Sequence, residues 1–231
     1  MTVELREFAD RKQQAEALAD DIARIVKARL KTSGKAALAV PGGTTPGAFL
    51  TALGARKGID WGGVAVTLTD ERCVPATDER SNARLLRGTL MAAGATPDFV
   101  PLYARSASGT PALGQVDAAL SARVLPLDAI VLGMGNDGHT ASLFPGADAL
   151  DEALDPDDDA AVVALTAPGA PEPRISLTLP AILSARHHAV LIAGQDKKET
   201  LERVLAGGPV AEAPIRAVFE GAATVTVYWA P

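Results

Sequence analysis

A chain of 231 residues that is 48% hydrophobic can bury a full-sized core, and it is expected to fold as a single domain over residues 1–231. A net charge of −6 argues against nucleic acid and anionic membranes as partners, since both demand a basic footprint, and the single cysteine, Cys73, excludes an internal disulfide. The N-terminus lacks the basic head and continuous apolar core of a signal peptide, and no segment approaches the roughly 18 apolar residues of a membrane span, so a cytoplasmic protein is expected.

Ala15, Leu18, Ala19, Ile22, Val26 and Leu30 recur at helical spacing, which predicts an amphipathic helix from Asp10 to about Lys31, ended by Gly34. Ala36–Val40 reads as a buried strand, Pro41 to Thr45 as a loop, and Pro46 as the opening of the next helix. Val64–Thr69 is a strand running into a turn at Asp70-Glu71-Arg72, and Ser81-Asn82 can cap a helix through Leu90. A helix over Pro111 to about Val124 and a strand over Leu127–Leu132 follow. Ala161–Thr166, Ile175–Leu179 and Ala189–Ala193 are strand candidates, with a short helix from Pro180 between the last two. Lys197–Leu205 reads as helix and Thr224–Tyr228 as a terminal strand, while the acid-rich 148–159 and proline-rich 167–173 segments read as surface connectors. Strands alternating with helices predict an α/β fold with a Rossmann-like, mostly parallel, doubly wound sheet.

Chemistry concentrates where strands end. After the apolar run Ala129–Leu132 come Gly133, Gly135 and Gly138, with Asp137 and His139 two residues apart, at the end of a strand where open α/β sheets bind ligands. Gly42, Gly43, Thr44 and Thr45, between a strand and a helix, offer backbone N–H groups and hydroxyls to a phosphate monoester. No Gly-Lys-Ser/Thr ending follows, so this is not a nucleoside-triphosphate loop. Arg174 and Lys197, near late strand ends, are the cations that can complete the pocket. An imidazole with a nearby carboxylate, a phosphate cradle and an arginine turn suffice for general-base chemistry on a sugar phosphate.

Other readings are weaker on the residues themselves. Gly133-Met-Gly-Asn-Asp-Gly138 matches a dinucleotide fingerprint in form, but Pro145-Gly146 ends any helix within about two turns. Three histidines, two of them adjacent, and one cysteine give no zinc spacing, so no metal and no cofactor is expected. Ser142 lies in no nucleophile elbow. His187-His188 reads as surface or packing, and Arg72 alone reads as well as a salt bridge to Asp70 or Glu71.

The segment from Gly133 through Asp137-Gly-His-Thr-Ala-Ser-Leu-Phe-Pro-Gly146 resembles the signature of the 6-phosphogluconolactonases. Gly42-Gly-Thr-Thr-Pro46, Thr69-Asp-Glu-Arg-Cys-Val-Pro75, Ser81-Asn82, Arg174-Ile-Ser-Leu-Thr-Leu-Pro180, Gly194-Gln-Asp-Lys197 and Pro214-Ile-Arg-Ala-Val218 are similar to further blocks of that family, in order over nearly the whole chain. The resemblance implies the fold shared with glucosamine-6-phosphate deaminases, with strands added to the parallel sheet. It also implies metal-free hydrolysis of 6-phospho-D-glucono-1,5-lactone, the second step of the oxidative pentose phosphate pathway. On that reading His139 is the general base, Asp137 and Asp70 orient the imidazole or the water, and Arg72 binds substrate or developing negative charge. Gly42, Gly43, Thr44, Thr45, Arg174 and Lys197 hold the phosphate, Lys197 being chosen over its neighbour Lys198. Pro41 stands where a serine commonly precedes the two glycines. The partner is a small phosphorylated sugar lactone and the chain a monomer or small homo-oligomer. Deaminases of this fold carry a glutamate five residues after the histidine; here that position is Phe144, which cannot transfer a proton. A non-catalytic sugar-phosphate sensor is the alternative from another class.

Overall fold

The computed structural model describes residues 2–104 and 111–231. The chain runs β1 (Thr2–Glu7), α1 (Arg11–Ser33), β2 (Ala36–Val40), α2 (Gly47–Gly54), β3 (Val64–Leu68), β4 (Asp70–Arg72), α3 (Asn82–Leu86), β5 (Asp98–Phe99) and α4 (Leu113–Arg123). It continues as β6 (Ala129–Leu132), α5 (Leu150–Leu154), β7 (Val162–Leu165), β8 (Arg174–Leu177), α6 (Leu179–Leu183), β9 (His188–Ala193), α7 (Gln195–Leu205), α8 (Ile215–Gly221) and β10 (Thr224–Ala230). Seven strands form one sheet in the order β1-β10-β9-β6-β2-β3-β5, every adjacent pair parallel. Strands β2 and β6 are buried along their whole length, as sheets covered on both faces require.

The long helix forms as its periodicity dictates. Asp10 caps it by accepting from the Gln13 N–H at 2.8 Å, Gly34 ends it in the left-handed region at φ 70°, and Leu18, Ile22 and Val26 are buried against the sheet. Gln14, a polar residue on that buried face, is satisfied by the carbonyls of Ile192 and Tyr228 at 2.7 and 2.8 Å, which pins α1 across β9 and β10.

Two expectations differ from what is observed. Asp70–Arg72 is a strand rather than a turn, and β4, β8 and β7 make a separate antiparallel sheet instead of joining the parallel one. The acid-rich connector also carries the short helix α5. A period-two pattern marks a strand but not its partner, and three residues such as Asp70-Glu71-Arg72 show no pattern at all. The small sheet has a consequence for the site, because its register sets Arg72 directly opposite Arg174.

Glu71 ties β4 of this sheet to the start of α3. It is 2% exposed, and its carboxylate accepts from the backbone N–H groups of Arg72, Asn82 and Ala83, each at 2.8 Å, and from the Ser81 hydroxyl at 3.0 Å. Removing such an acceptor orphans several buried donors at about 1–3 kcal/mol each. Glu71→Ala is therefore expected to lower the unfolding free energy in urea by about 3 kcal/mol or more. A loss under about 1 kcal/mol would mean that water replaces the carboxylate.

Candidate functional site

The sheet reverses its winding between β2 and β6. From β2 the chain moves outward to β3, and from β6 it moves the other way to β9, so the loops after β2 and β6 diverge and leave a crevice at the carboxyl ends of the strands. That crevice encloses about 400 Å³, within the range of small-molecule sites. Its walls include Gly42, Gly43, Thr44 and Thr45 after β2, Asp70 and Arg72 on β4, and His139 after β6. Arg174 on β8 and Lys197 on α7 close it. The ten residues singled out in the sequence are thus brought together with one exception. Asp137 is not itself on the wall but lies behind His139, bonded to it.

The imidazole is held by geometry the sequence enforces. Asp137 Oδ1 accepts from the His139 backbone N–H at 3.0 Å and sits 2.6 Å from Nδ1. Burial alone would raise the Asp137 carboxyl, but the side-chain and backbone hydrogen bonds from His139 and the imidazole's charge outweigh it and hold the group at about 2. An ionised carboxylate only accepts, so Nδ1 carries the proton and Nε2 keeps its lone pair. No hydrogen bond to Nε2 is made among the described residues. Gly135 makes the arrangement possible: a Cβ there would lie 2.1 Å from His139 Nδ1 and 2.4 Å from Asp137 Oδ1. The depressed carboxyl stabilises the fold above its ordinary value of 3.8, and that contribution is lost as pH falls through about 2. Between pH 4 and 9, by contrast, Asp137 stays ionised. Asp137→Asn removes the acceptor that fixes the Nδ1 proton and should lower kcat while KM changes little. A kcat near wild type in that variant would mean that Asp137 does not orient the imidazole.

The phosphate-type loop is fixed from beneath. Gly43 adopts φ 91°, and a Cβ on Gly42 would lie 1.9 Å from the Asn82 side chain, so both positions need glycine. Asn82 Nδ2 donates to the Asp70 carbonyl at 2.8 Å, so this loop rests on β4. The loop leads into α2, whose first N–H groups face it.

Arg72 and Arg174 stand side by side on one face of the small sheet. Like charges directly opposite cost stability. Burial and the charge of Arg72 push the Arg174 guanidinium below its ordinary value, with Asp70, Glu172 and Glu71 acting the other way. The Nε atoms of both arginines are buried without a hydrogen-bond partner. Donors left unpaired beside a crevice, at the cost of mutual repulsion, are what an anion-binding wall requires. Arg72 makes no ion pair with Asp70 or Glu71; one of its terminal nitrogens donates to the Arg80 carbonyl. Burial lowers Lys197, partly offset by Asp196 and Asp137, so it too belongs to the crevice. Lys198 instead pairs with Glu7 at 2.6 Å and lies over the Trp229 ring.

Of the two expected roles for Asp70, orienting the imidazole or the water, the first has no hydrogen bond behind it. Its carboxylate accepts from the Ser142 hydroxyl at 2.6 Å and lies 3.9 Å from Arg174, and none of its hydrogen bonds goes to His139. It reaches the imidazole's loop through Ser142, which carries no role in the sequence analysis. Phe144 was also unassigned as a contact; its ring centroid is 4.0 Å from that of His139 and 5.8 Å from the Arg174 guanidinium. The trace of Ser142 in the sequence is its place in the block that follows His139, and that of Phe144 is its standing where deaminases of this fold carry a glutamate. His188 is buried and bonded to the Ile182 carbonyl at 3.0 Å, a packing role away from the crevice. The residues after Gly138 form no helix until Leu150, so the dinucleotide fingerprint lacks the helix it needs.

Fold and crevice together define an α/β protein with a carboxylate-backed imidazole and two facing arginines at the switch point of a parallel sheet. The model of the family described as glucosamine-6-phosphate isomerases/6-phosphogluconolactonase matches residues 9–229, and the chain belongs to that family. It is 43% identical over 233 residues to a 6-phosphogluconolactonase of Rhizobium meliloti (strain 1021), with 100% of each chain covered. Over 226 residues it is 46% identical to a 6-phosphogluconolactonase of Mesorhizobium japonicum, covering 97% of this chain and 94% of the relative. The crystal structure of a 6-phosphogluconolactonase from Shewanella baltica OS155 superposes with a TM-score of 0.91 at 35% identity, covering 100% of this chain and 98% of the other. No helix among the described residues is long and apolar enough to cross a membrane, and none of their His, Cys, Asp and Glu side chains group to hold a metal ion.

Proposed function

We propose that this chain hydrolyses 6-phospho-D-glucono-1,5-lactone to 6-phospho-D-gluconate, acting in the cytoplasm on a small phosphorylated sugar lactone. The observation that carries the reading is an imidazole with its Nδ1 proton fixed by Asp137 and its Nε2 unbonded, in the same crevice as a glycine-threonine loop and two arginines whose Nε atoms lack a partner. Nε2 takes a proton from water as the water oxygen bonds to the lactone carbonyl carbon. The carbonyl electrons shift to oxygen beside Arg72, and when they return the bond to the ring oxygen breaks. The imidazolium returns its proton to that oxygen, and the new carboxylic acid ionises to solvent. The sugar phosphate is held by Gly42–Thr45, Arg174 and Lys197, while Asp70 acts through Ser142 to position the loop that carries His139.

Phe144 against the imidazole supports lactone opening over amino-sugar isomerisation, which needs a second proton-transferring group near the histidine. Two assays on one preparation test the reading. Ring opening of lactone made in situ from glucose 6-phosphate should be accelerated over the spontaneous rate, and glucosamine 6-phosphate should release no ammonia. Ammonia release would reassign the chain to the other activity of its family, and thermal stabilisation by ligand without acceleration of either reaction would make it a sensor.

A further inference from the structure

The two edges of the seven-stranded sheet are unlike. At one end β5 has only two residues, the usual way of blunting an edge. At the other, β1 runs for six residues, exposed except at Val3, and among the described residues nothing pairs with its outer side. Thr2 and Phe8 donate to the carbonyls of Ala223 and Trp229 on the inner side. By the alternation of a parallel ladder, the N–H and C=O groups of Val3, Leu5 and Glu7 point outward, unpaired.

Charges on an edge normally repel further strands. Here the order Glu4-Leu5-Arg6 does the reverse for a second copy of the same strand. An antiparallel pairing about a twofold axis at Leu5 sets Leu5 opposite Leu5 and Val3 opposite Glu7, all with outward-facing backbone groups. That register gives a ladder of about six hydrogen bonds. It also sets Glu4 opposite Arg6 twice, in the non-hydrogen-bonded positions where side chains approach most closely. Glu4 is exposed and has no ion pair among the described residues. Arg6 uses only Nη1 for Asp21 and Tyr228, and among the described residues Nε and Nη2 have no hydrogen-bond acceptor. On the opposite face Leu5, 43% exposed and one of two large hydrophobic side chains left in solvent among the described residues, would meet its own copy on the axis.

We propose that β1 is a self-complementary edge through which two copies of this chain associate antiparallel about Leu5, joining their sheets into one. The crevice lies at β2 and β6, away from this edge, so the proposal is independent of the catalytic reading. Sedimentation equilibrium of the chain tagged only at its C-terminus tests it over about 1–500 μM, where the mass should rise from 23.7 kDa toward twice that value. Glu4→Arg places arginine against arginine and should raise the dissociation constant at least about tenfold, with lactone hydrolysis unchanged. Leu5→Cys in a Cys73→Ser background should yield a covalent dimer on mild oxidation. A wild-type mass that stays monomeric up to the highest concentration overturns the proposal. So does a dimer unaffected by Glu4→Arg that the Leu5→Cys variant fails to cross-link.

Discussion

Replacing His139 by glutamine is expected to slow lactone opening by about 10²–10⁴-fold while binding of 6-phosphogluconate changes by only a few-fold. Glutamine keeps a donor for Asp137 and much of the ring's volume against Phe144, but it cannot accept a proton from water near neutral pH. The loss should therefore fall on kcat rather than KM, as it does when the missing interaction exists only in the transition state. Turnover near wild type would place the proton acceptor elsewhere. Asp70 would be the first alternative, since it lines the same crevice and its carboxylate is 2.6 Å from the Ser142 hydroxyl.

Arg174→Ala and Lys197→Ala should raise KM for the phosphorylated lactone about tenfold or more each, and leave the slow hydrolysis of unphosphorylated gluconolactone nearly unchanged. A dianion in a protein of net charge −6 needs concentrated local compensation. A charge-assisted hydrogen bond contributes roughly 1.5–3 kcal/mol, and 1.4 kcal/mol is about a factor of ten in affinity. Arg174 is 8% exposed, lies over the Phe144 ring and is 3.9 Å from Asp70, so its guanidinium is held in place before the ligand arrives. Equal loss on both substrates would place these residues at the reacting carbonyl or in support of the fold.

The parallel sheet was legible in the sequence because each long element carries its own period and its own stop. Leu18, Ile22 and Val26 mark the buried face of α1, Gly34 ends it, and the all-apolar Ala36–Val40 and Ala129–Leu132 admit no exposed face. The small antiparallel sheet was not legible, because β4 is three residues of charge whose pairing is decided by β8, a hundred residues away. Strand β1 was missed for the complementary reason: Thr2–Glu7 buries almost nothing, so it has no hydrophobic pattern to read. In the site, residues that line the crevice announced themselves as glycines, a histidine and cations at strand ends. The residues that hold them did not. Glu71 is an acidic residue among others until four donors are seen to converge on it, and Ser142 becomes informative only when Asp70 is found beside it.

The central claim is that one crevice holds the sugar's phosphate at Gly42–Thr45 and presents the lactone carbonyl to His139. A crystal structure with 6-phosphogluconate bound tests it directly. The phosphate should lie within hydrogen-bond distance of the Gly42–Thr45 backbone and of Arg174 or Lys197, with the carboxylate within reach of His139 Nε2 and Arg72. A carboxylate seated in the Gly42–Thr45 loop, or a product bound with its carboxylate remote from His139, would contradict the account.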